Sequence, residues 1–245
     1  MSRKPLGRKS YGSIPHLPNS RRGPGDHKCS DGWARIATEK VRDRHDIVIC
    51  QEKVDGSNVG VAKLNGEIIA LSRAGYRAGT SPYEQHHLFA AWVGRQQVRF
   101  DALLTEGERV CGEWLAQAHG TRYDLPHEPF VAFDLMVDTQ RETYDRFIER
   151  VAKYEFVSPR LLYRGPNAIT ITAAMCFVEP SGHGALDPVE GVVWRVERNR
   201  LIGKHSGERH HVVDFLVKYV RPDKKDGVYL PETSGNAAIW NWRPE

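Results

Sequence analysis

The chain has 245 residues, 40% of them hydrophobic and 27% charged, with a formal net charge of +4. That length holds one large domain or two small ones, and a mean hydropathy of −0.53 is too moderate for wholesale disorder. No apolar run approaches the roughly 18 residues that a bilayer span requires, and the basic start MSRKPLGRKSYG lacks the apolar stretch of a secretory signal. The cysteines, Cys29, Cys50, Cys111 and Cys176, have no C-x-x-C spacing. This argues against a zinc cluster or disulfide framework and for a reducing, cytoplasmic setting without membrane partners.

The positive charge is uneven: Arg3, Lys4, Arg8, Lys9, Arg21, Arg22, Lys28, Arg35, Lys40, Arg42 and Arg44 crowd the start of the chain against few acids. Such asymmetry suits a polyanion such as nucleic acid, although a solvated basic tail would read the same. Residues 1–32, rich in Pro, Gly, Ser and Arg, predict a loop-rich N-terminal arm, and residues 33–245 one further domain. DIVICQEKVDGSNVGVAKLNGEIIALSR predicts two or three short strands, with Asn65-Gly66 as a hairpin turn. Next comes a helix carrying Leu88, Phe89, Trp92 and Val93, with Ser81-Pro82 as its start. ERVCGEWLA and EPFVAFDLMVD predict strands, the second apolar enough to be buried on both faces. TYDRFIERVAKYEF predicts an amphipathic helix, and VEGVVWRVE and HHVVDFLVKYVRP two more strands. Strands and helices mix without βαβ alternation, so the expected class is α+β. Trp240 and Trp242 are expected to cover the core.

QEKVDGSNVGV carries the most chemistry. A lysine between two strand-like runs, followed by Asp55-Gly56, places a primary amine at the mouth of a sheet. Glycine there would let a phosphate approach closely. The amine must lose its proton to attack, which desolvation and neighbouring cations or a metal favour. K-x-D-G alone is found in many surface loops. The adjacent histidine pairs His86-His87 and His210-His211 point in different directions on a strand or helix, which argues against shared metal ligation.

From Tyr11 to about Pro231 the chain resembles the RNA ligase branch of the covalent nucleotidyltransferases, which include DNA ligases and mRNA capping enzymes. The resemblance implies an ATP-grasp-like adenylation domain of mainly antiparallel sheets flanked by helices. EKVDGSN resembles the nucleophile motif, implying that Lys53 takes AMP as a phosphoramidate, with Glu52 and Asn58 in the nucleotide-binding set. LSRAG implies Arg73 on phosphate or the nucleic-acid end, RVCGEWL implies Glu113 on the ribose, and PFVAFDL implies Phe133 stacked on adenine. VEGVVWR implies Glu190 as a metal-site acid, for Mg²⁺ or Mn²⁺, and VKYVR implies Lys218 on phosphate. The fifth motif often reads K-x-K, but Val220 occupies the second lysine's place. Arg221, or Lys204 in LIGKH, is the candidate replacement. YGSIPHLPNSRRGPGD resembles a segment preceding the nucleophile in some of these ligases, making His16, Ser20 and Arg21 candidate RNA phosphate contacts.

Asn58 stands where DNA ligases and capping enzymes usually have arginine, as in many ligases of the RNA ligase 2 type. About two dozen residues follow VKYVR, so no C-terminal OB domain is expected. The expected activity is ATP-dependent sealing of RNA 5′-phosphate and 3′-hydroxyl ends through lysyl-AMP. DNA nick sealing, GTP-dependent capping-type transfer and a non-catalytic nucleic-acid-binding relative are the alternatives. An RNA-repair role makes an end-healing kinase or phosphatase a candidate partner, and a monomer is the default expectation.

Overall fold

The computed structural model describes residues 3–201 and 209–244. It is α+β, and the chain divides into two compact units. Unit 1 comprises Met1–Gly12, Asp55–Ser158 and Gly227–Glu245, and unit 2 comprises Ser13–Val54 and Pro159–Asp226. Residues 1–32, expected together as an arm, are therefore divided between the two units after Gly12. No helix among the described residues is long and apolar enough to cross a membrane.

Unit 2 holds an antiparallel sheet in the order β7-β1-β8-β9, built from β1 (Asp46–Lys53), β7 (Leu161–Gly165), β8 (Gly191–Leu201) and β9 (Arg209–Val220). Strand alternation sorts its side chains. Val48 and Cys50 of β1, Val192, Trp194 and Val196 of β8, and Phe215 and Val217 of β9 enter one hydrophobic cluster. Helix α1 (Asp31–Thr38) packs Ala34, Ile36 and Ala37 into it, and α5 (Ile171–Cys176) adds Ala174. The Ser30 hydroxyl accepts the Trp33 N–H and Thr170 that of Ala173, so each helix begins on a side-chain cap. Neither helix nor β7 was expected from sequence. Gly32 and the brevity of all three weaken their periodic signal.

Unit 1 holds the order β3-β2-β4-β5-β6, from β2 (Ser57–Leu64), β3 (Glu67–Ser72), β4 (Glu108–Trp114), β5 (Phe130–Val137) and β6 (Gln140–Arg141). The β2–β3 turn is at Asn65-Gly66 as expected, both residues at positive φ (52° and 75°), as a tight hairpin requires. Helices α2 (Glu84–Arg95), α3 (Gln97–Leu103) and α4 (Tyr144–Lys153) pack one face. Phe89, Trp92 and Val93 of α2, Phe100 of α3, and Phe147 and Val151 of α4 meet Val59, Val61, Val110, Trp114, Phe130 and Leu135 there. Ser81-Pro82 lies just ahead of α2 rather than in its first turn, which begins after Tyr83. Trp242 packs edge-on against Trp114 with ring centres 5.8 Å apart, whereas Trp240 lies under the Arg243 guanidinium. A short helix, α6 (Pro231–Ser234), belongs to the same unit.

Candidate active site

In unit 2 the nucleophile candidate ends β1. Because Val48 and Cys50 face the core, Ile49, Gln51 and Lys53 face the other way. Lys53 lies opposite Gly191, and Val193 opposite Lys218, so Lys53 and Lys218 share one face with β8 between them. Glu190 immediately precedes β8 and sets its carboxylate 2.5 Å from the Lys53 ammonium; the two side chains are only 8% and 20% exposed. A Cβ at position 191 would lie 1.9 Å from the Tyr219 carbonyl, so only glycine lets β9 approach here.

Glu52 is not brought to this group. The same alternation turns it to the opposite face, where its carboxylate accepts the Ser181 hydroxyl at 2.5 Å and the Gly182 N–H at 2.8 Å. Burial raises its pKa, against the lowering effect of those two bonds. Its place next to the nucleophile in sequence is the reason it is not next to it in space.

Residues 15–21 run along the end of β9. Lys218 N–H donates to the Pro15 carbonyl at 3.0 Å, and Leu17 N–H to the Lys218 carbonyl at 2.8 Å. This seats His16, almost fully buried, beside Lys218. Its Nδ1 is 2.7 Å from the Ser20 hydroxyl and its Nε2 is 3.1 Å from Asp26, whose other oxygen lies 3.7 Å from the Lys218 ammonium. Burial and then Lys218 bring the His16 pKa down to about 4, against the raising effect of Asp26. Ser20 Oγ also accepts the Val220 N–H at 2.9 Å. His16 and Ser20, expected as phosphate contacts, are thus engaged in holding this segment to β9. Arg21 pairs with Asp226 and Arg221 with Asp223. Lys204 lies outside the described residues. Asp26 was not singled out from sequence, because G-P-G-D reads as an ordinary polar turn.

In unit 1 the second half of the nucleophile motif turns into β2. Asp55 accepts the Gly120 N–H at 3.0 Å and the Thr121 hydroxyl at 3.2 Å, and its own N–H donates to the Tyr123 hydroxyl at 2.9 Å. A Cβ on Gly56 would lie 2.5 Å from the Trp114 carbonyl. The glycine expected to make room for a phosphate is therefore needed for backbone packing. Gly56 N–H donates to Glu113 at 3.2 Å, Asn58 sits opposite Glu113 in the β2–β4 ladder, and Arg73 N–H donates to the Asn58 carbonyl at 3.1 Å. Asn58, Arg73 and Glu113 line one open cavity of about 550 Å³.

Phe133 occupies a bulge, since Cys111 pairs with Asp134 and Gly112 with Ala132, leaving Phe133 without a partner in the ladder. Its half-buried ring meets the edge of Tyr11 at 4.9 Å. The Tyr11 hydroxyl donates to the buried Asp134 at 2.6 Å, and Arg141 closes the group at 3.0 Å from the same oxygen. Tyr11 is a supporting residue that sequence reasoning treated only as the start of the matched region.

An RNA ligase family model matches residues 46–220, and the chain belongs to the RNA ligase family. No curated protein sequence matches it. Among solved structures it is similar to an archaeal ATP-dependent RNA ligase, at 20% identity and a TM-score of 0.41 over 72% of this chain and 44% of that one. It is also similar to an apo mutant form of a Naegleria gruberi RNA ligase, at 13% identity and a TM-score of 0.49 over 93% of this chain and 60% of that one. A putative ATP-dependent DNA ligase from Aquifex aeolicus has 16% identity and a TM-score of 0.43 over 71% and 44%. The chain spans about half the length of the archaeal and Aquifex aeolicus ligases it matches.

Proposed function

We propose that this chain is an ATP-dependent RNA ligase that carries AMP on Lys53. The observation that carries the reading is the Lys53–Glu190 pair, formed at the end of β1 and just before β8 inside the region matched by the family model. In the first step the Lys53 Nζ lone pair forms a bond to the α-phosphorus of ATP, the bond to the bridging oxygen breaks, and pyrophosphate leaves. Nζ must first release a proton from the pair with Glu190. AMP then passes to the 5′-phosphate of RNA, and a 3′-hydroxyl displaces it to seal the strand.

Solved structures of mutant forms of the Naegleria gruberi RNA ligase are described as holding AMP and Mn. A divalent ion fits the donor chemistry here: Glu190 is a hard oxygen ligand, and Mg²⁺ or Mn²⁺ binds one or two carboxylates together with phosphate oxygens and water. Among the described residues no group of three or more His, Cys, Asp or Glu forms a complete metal cage. When bound, such an ion would neutralise phosphate charge. Lys218 would offer its ammonium to phosphate, Glu113 would receive the ribose hydroxyls, and Phe133 would present a ring face to adenine. The free thiols of Cys29, Cys50, Cys111 and Cys176 fit a reducing, intracellular setting.

The test is incubation with labelled ATP or GTP and Mg²⁺ or Mn²⁺, followed by sealing assays on nicked RNA, nicked DNA and single strands. Covalent label from ATP together with RNA joining is expected. Label from GTP alone, or joining confined to DNA, would overturn the assignment.

A further inference from the structure

The cavity of unit 1 contains a hydroxyl whose orientation is set by a histidine outside all the motifs above. Ser57 follows Gly56 and lines the cavity with Asn58, Arg73 and Glu113. Its Oγ lies 2.7 Å from Nε2 of His86, in the first turn of α2, and Nδ1 of the same ring lies 2.6 Å from Ser81 Oγ. Burial, followed by the charges of His119 and His87, pulls the His86 ring down to about 4, so it is neutral near pH 7.

A neutral imidazole donates from one nitrogen and accepts at the other. Ser81 Oγ also accepts the Tyr83 N–H at 3.3 Å, and with that bond made its own hydrogen can still be donated to His86 Nδ1. The ring hydrogen then sits on Nε2 and is donated to Ser57 Oγ. With that bond filling an acceptor position, the Ser57 hydrogen is left to donate into the cavity. The opposite tautomer would turn the Ser57 hydrogen back onto the ring and present only lone pairs to a ligand. The second ring contact is therefore what decides whether Ser57 is a donor.

We infer that His86 is a positioning residue that makes Ser57 a hydrogen-bond donor to an oxygen of the RNA end held in this cavity. This rests on the RNA ligase reading. An RNA end suits the site because oxygen acceptors dominate it, and Arg73 and Asn58 supply further polar groups on the same wall. The Tyr83 ring stands edge-on to His86 at 5.7 Å, 48% exposed, and offers an apolar surface at the same mouth.

Two measurements on the full chain test it. Nitrogen-15 NMR of the histidine rings should find His86 with its hydrogen on Nε2; a hydrogen on Nδ1 would overturn the assignment. The second measurement is sealing of RNA whose 5′ end already carries AMP. Glutamine places its amide nitrogen near Nε2 and asparagine near Nδ1, so His86→Gln keeps the bond to Ser57 and His86→Asn does not. His86→Asn and Ser57→Ala should each lose about ten-fold in sealing rate, His86→Gln should keep at least about half, and the His86→Asn/Ser57→Ala double variant should be no worse than Ser57→Ala. Equal losses in the Gln and Asn variants, or additive losses in the double variant, would show a merely structural role. A wild-type chain that seals no pre-adenylylated RNA would count against the ligase reading itself, while the ring tautomer still decides the state of Ser57.

Discussion

Two nearly buried carboxylates, Glu190 beside the sheet of unit 2 and Asp134 on the sheet of unit 1, are partnered in opposite ways. Glu190 in unit 2 faces a lysine, a point charge that burial and neighbours can strip of its proton. Asp134 in unit 1 faces a guanidinium, which stays charged, and the Tyr11 hydroxyl, whose pKa is raised well above its usual value by burial and then by Asp134. The first group can be taken apart by a reaction. The second is a fixed support beneath the Phe133 bulge. On the proposed reading, these two pairs separate into chemistry and scaffolding according to whether the cation can deprotonate.

The largest effect should come from breaking the scaffold. Asp134→Ala leaves the partly buried Arg141 and the Tyr11 hydroxyl without their acceptor and should cost about 3–5 kcal/mol, seen as a melting point lower by on the order of 10 °C. Glu190→Gln should show the reverse balance. Its melting point should stay within a few degrees of wild type, while the rate of lysine adenylylation drops on the order of a hundred-fold. Equal thermal losses in the two variants would erase the distinction between them.

Phe133→Ala sharpens the reading of the bulge. Because the ring is only half-buried, KM for ATP should rise about ten-fold with little change in kcat; a large stability loss with unchanged KM would mark it as core instead. The smallest effect concerns pH. Glu108 sits in the Arg150 fork at 2.6 Å. Burial alone would raise its pKa, but Arg150 and the Thr105 N–H bring it down to about 2. Its folded pKa lies below the unfolded value of about 4.3, so its contribution is present above that value and is lost as pH falls toward 2. The melting-point gap between wild type and Glu108→Gln should therefore be constant above about pH 5 and close on acidification. A gap that does not change with pH would contradict the ion pair.

What the sequence made legible follows from range. Alternation and turn chemistry are local, so the β2–β3 hairpin, β5 and α4 could be read directly; Lys53, Asn58, Glu113, Phe133 and Lys218 lie on strands, whereas Arg73 follows β3 and Glu190 precedes β8. The orientation of Glu52 was also local information, since a strand that sends Lys53 one way must send Glu52 the other. The Phe133 bulge depends on the register of β4 against β5, which no single strand encodes. Asp26 in unit 2, and Tyr11 and His86 in unit 1, meet the candidate residues of their own unit through contacts spanning long stretches of chain, and none stands in a periodic pattern that would mark it. His86 was weighed only as half of a histidine pair, although its two ring partners are serines.

The claim on which everything else depends is that Lys53 is the residue that takes AMP. Incubating the chain with ATP and Mg²⁺, then locating the added nucleotide by peptide mass spectrometry, tests it most directly. One AMP on the peptide containing Lys53, absent from Lys53→Ala, is the result predicted here. An AMP adduct that persists in Lys53→Ala, or that maps to another residue, would contradict it.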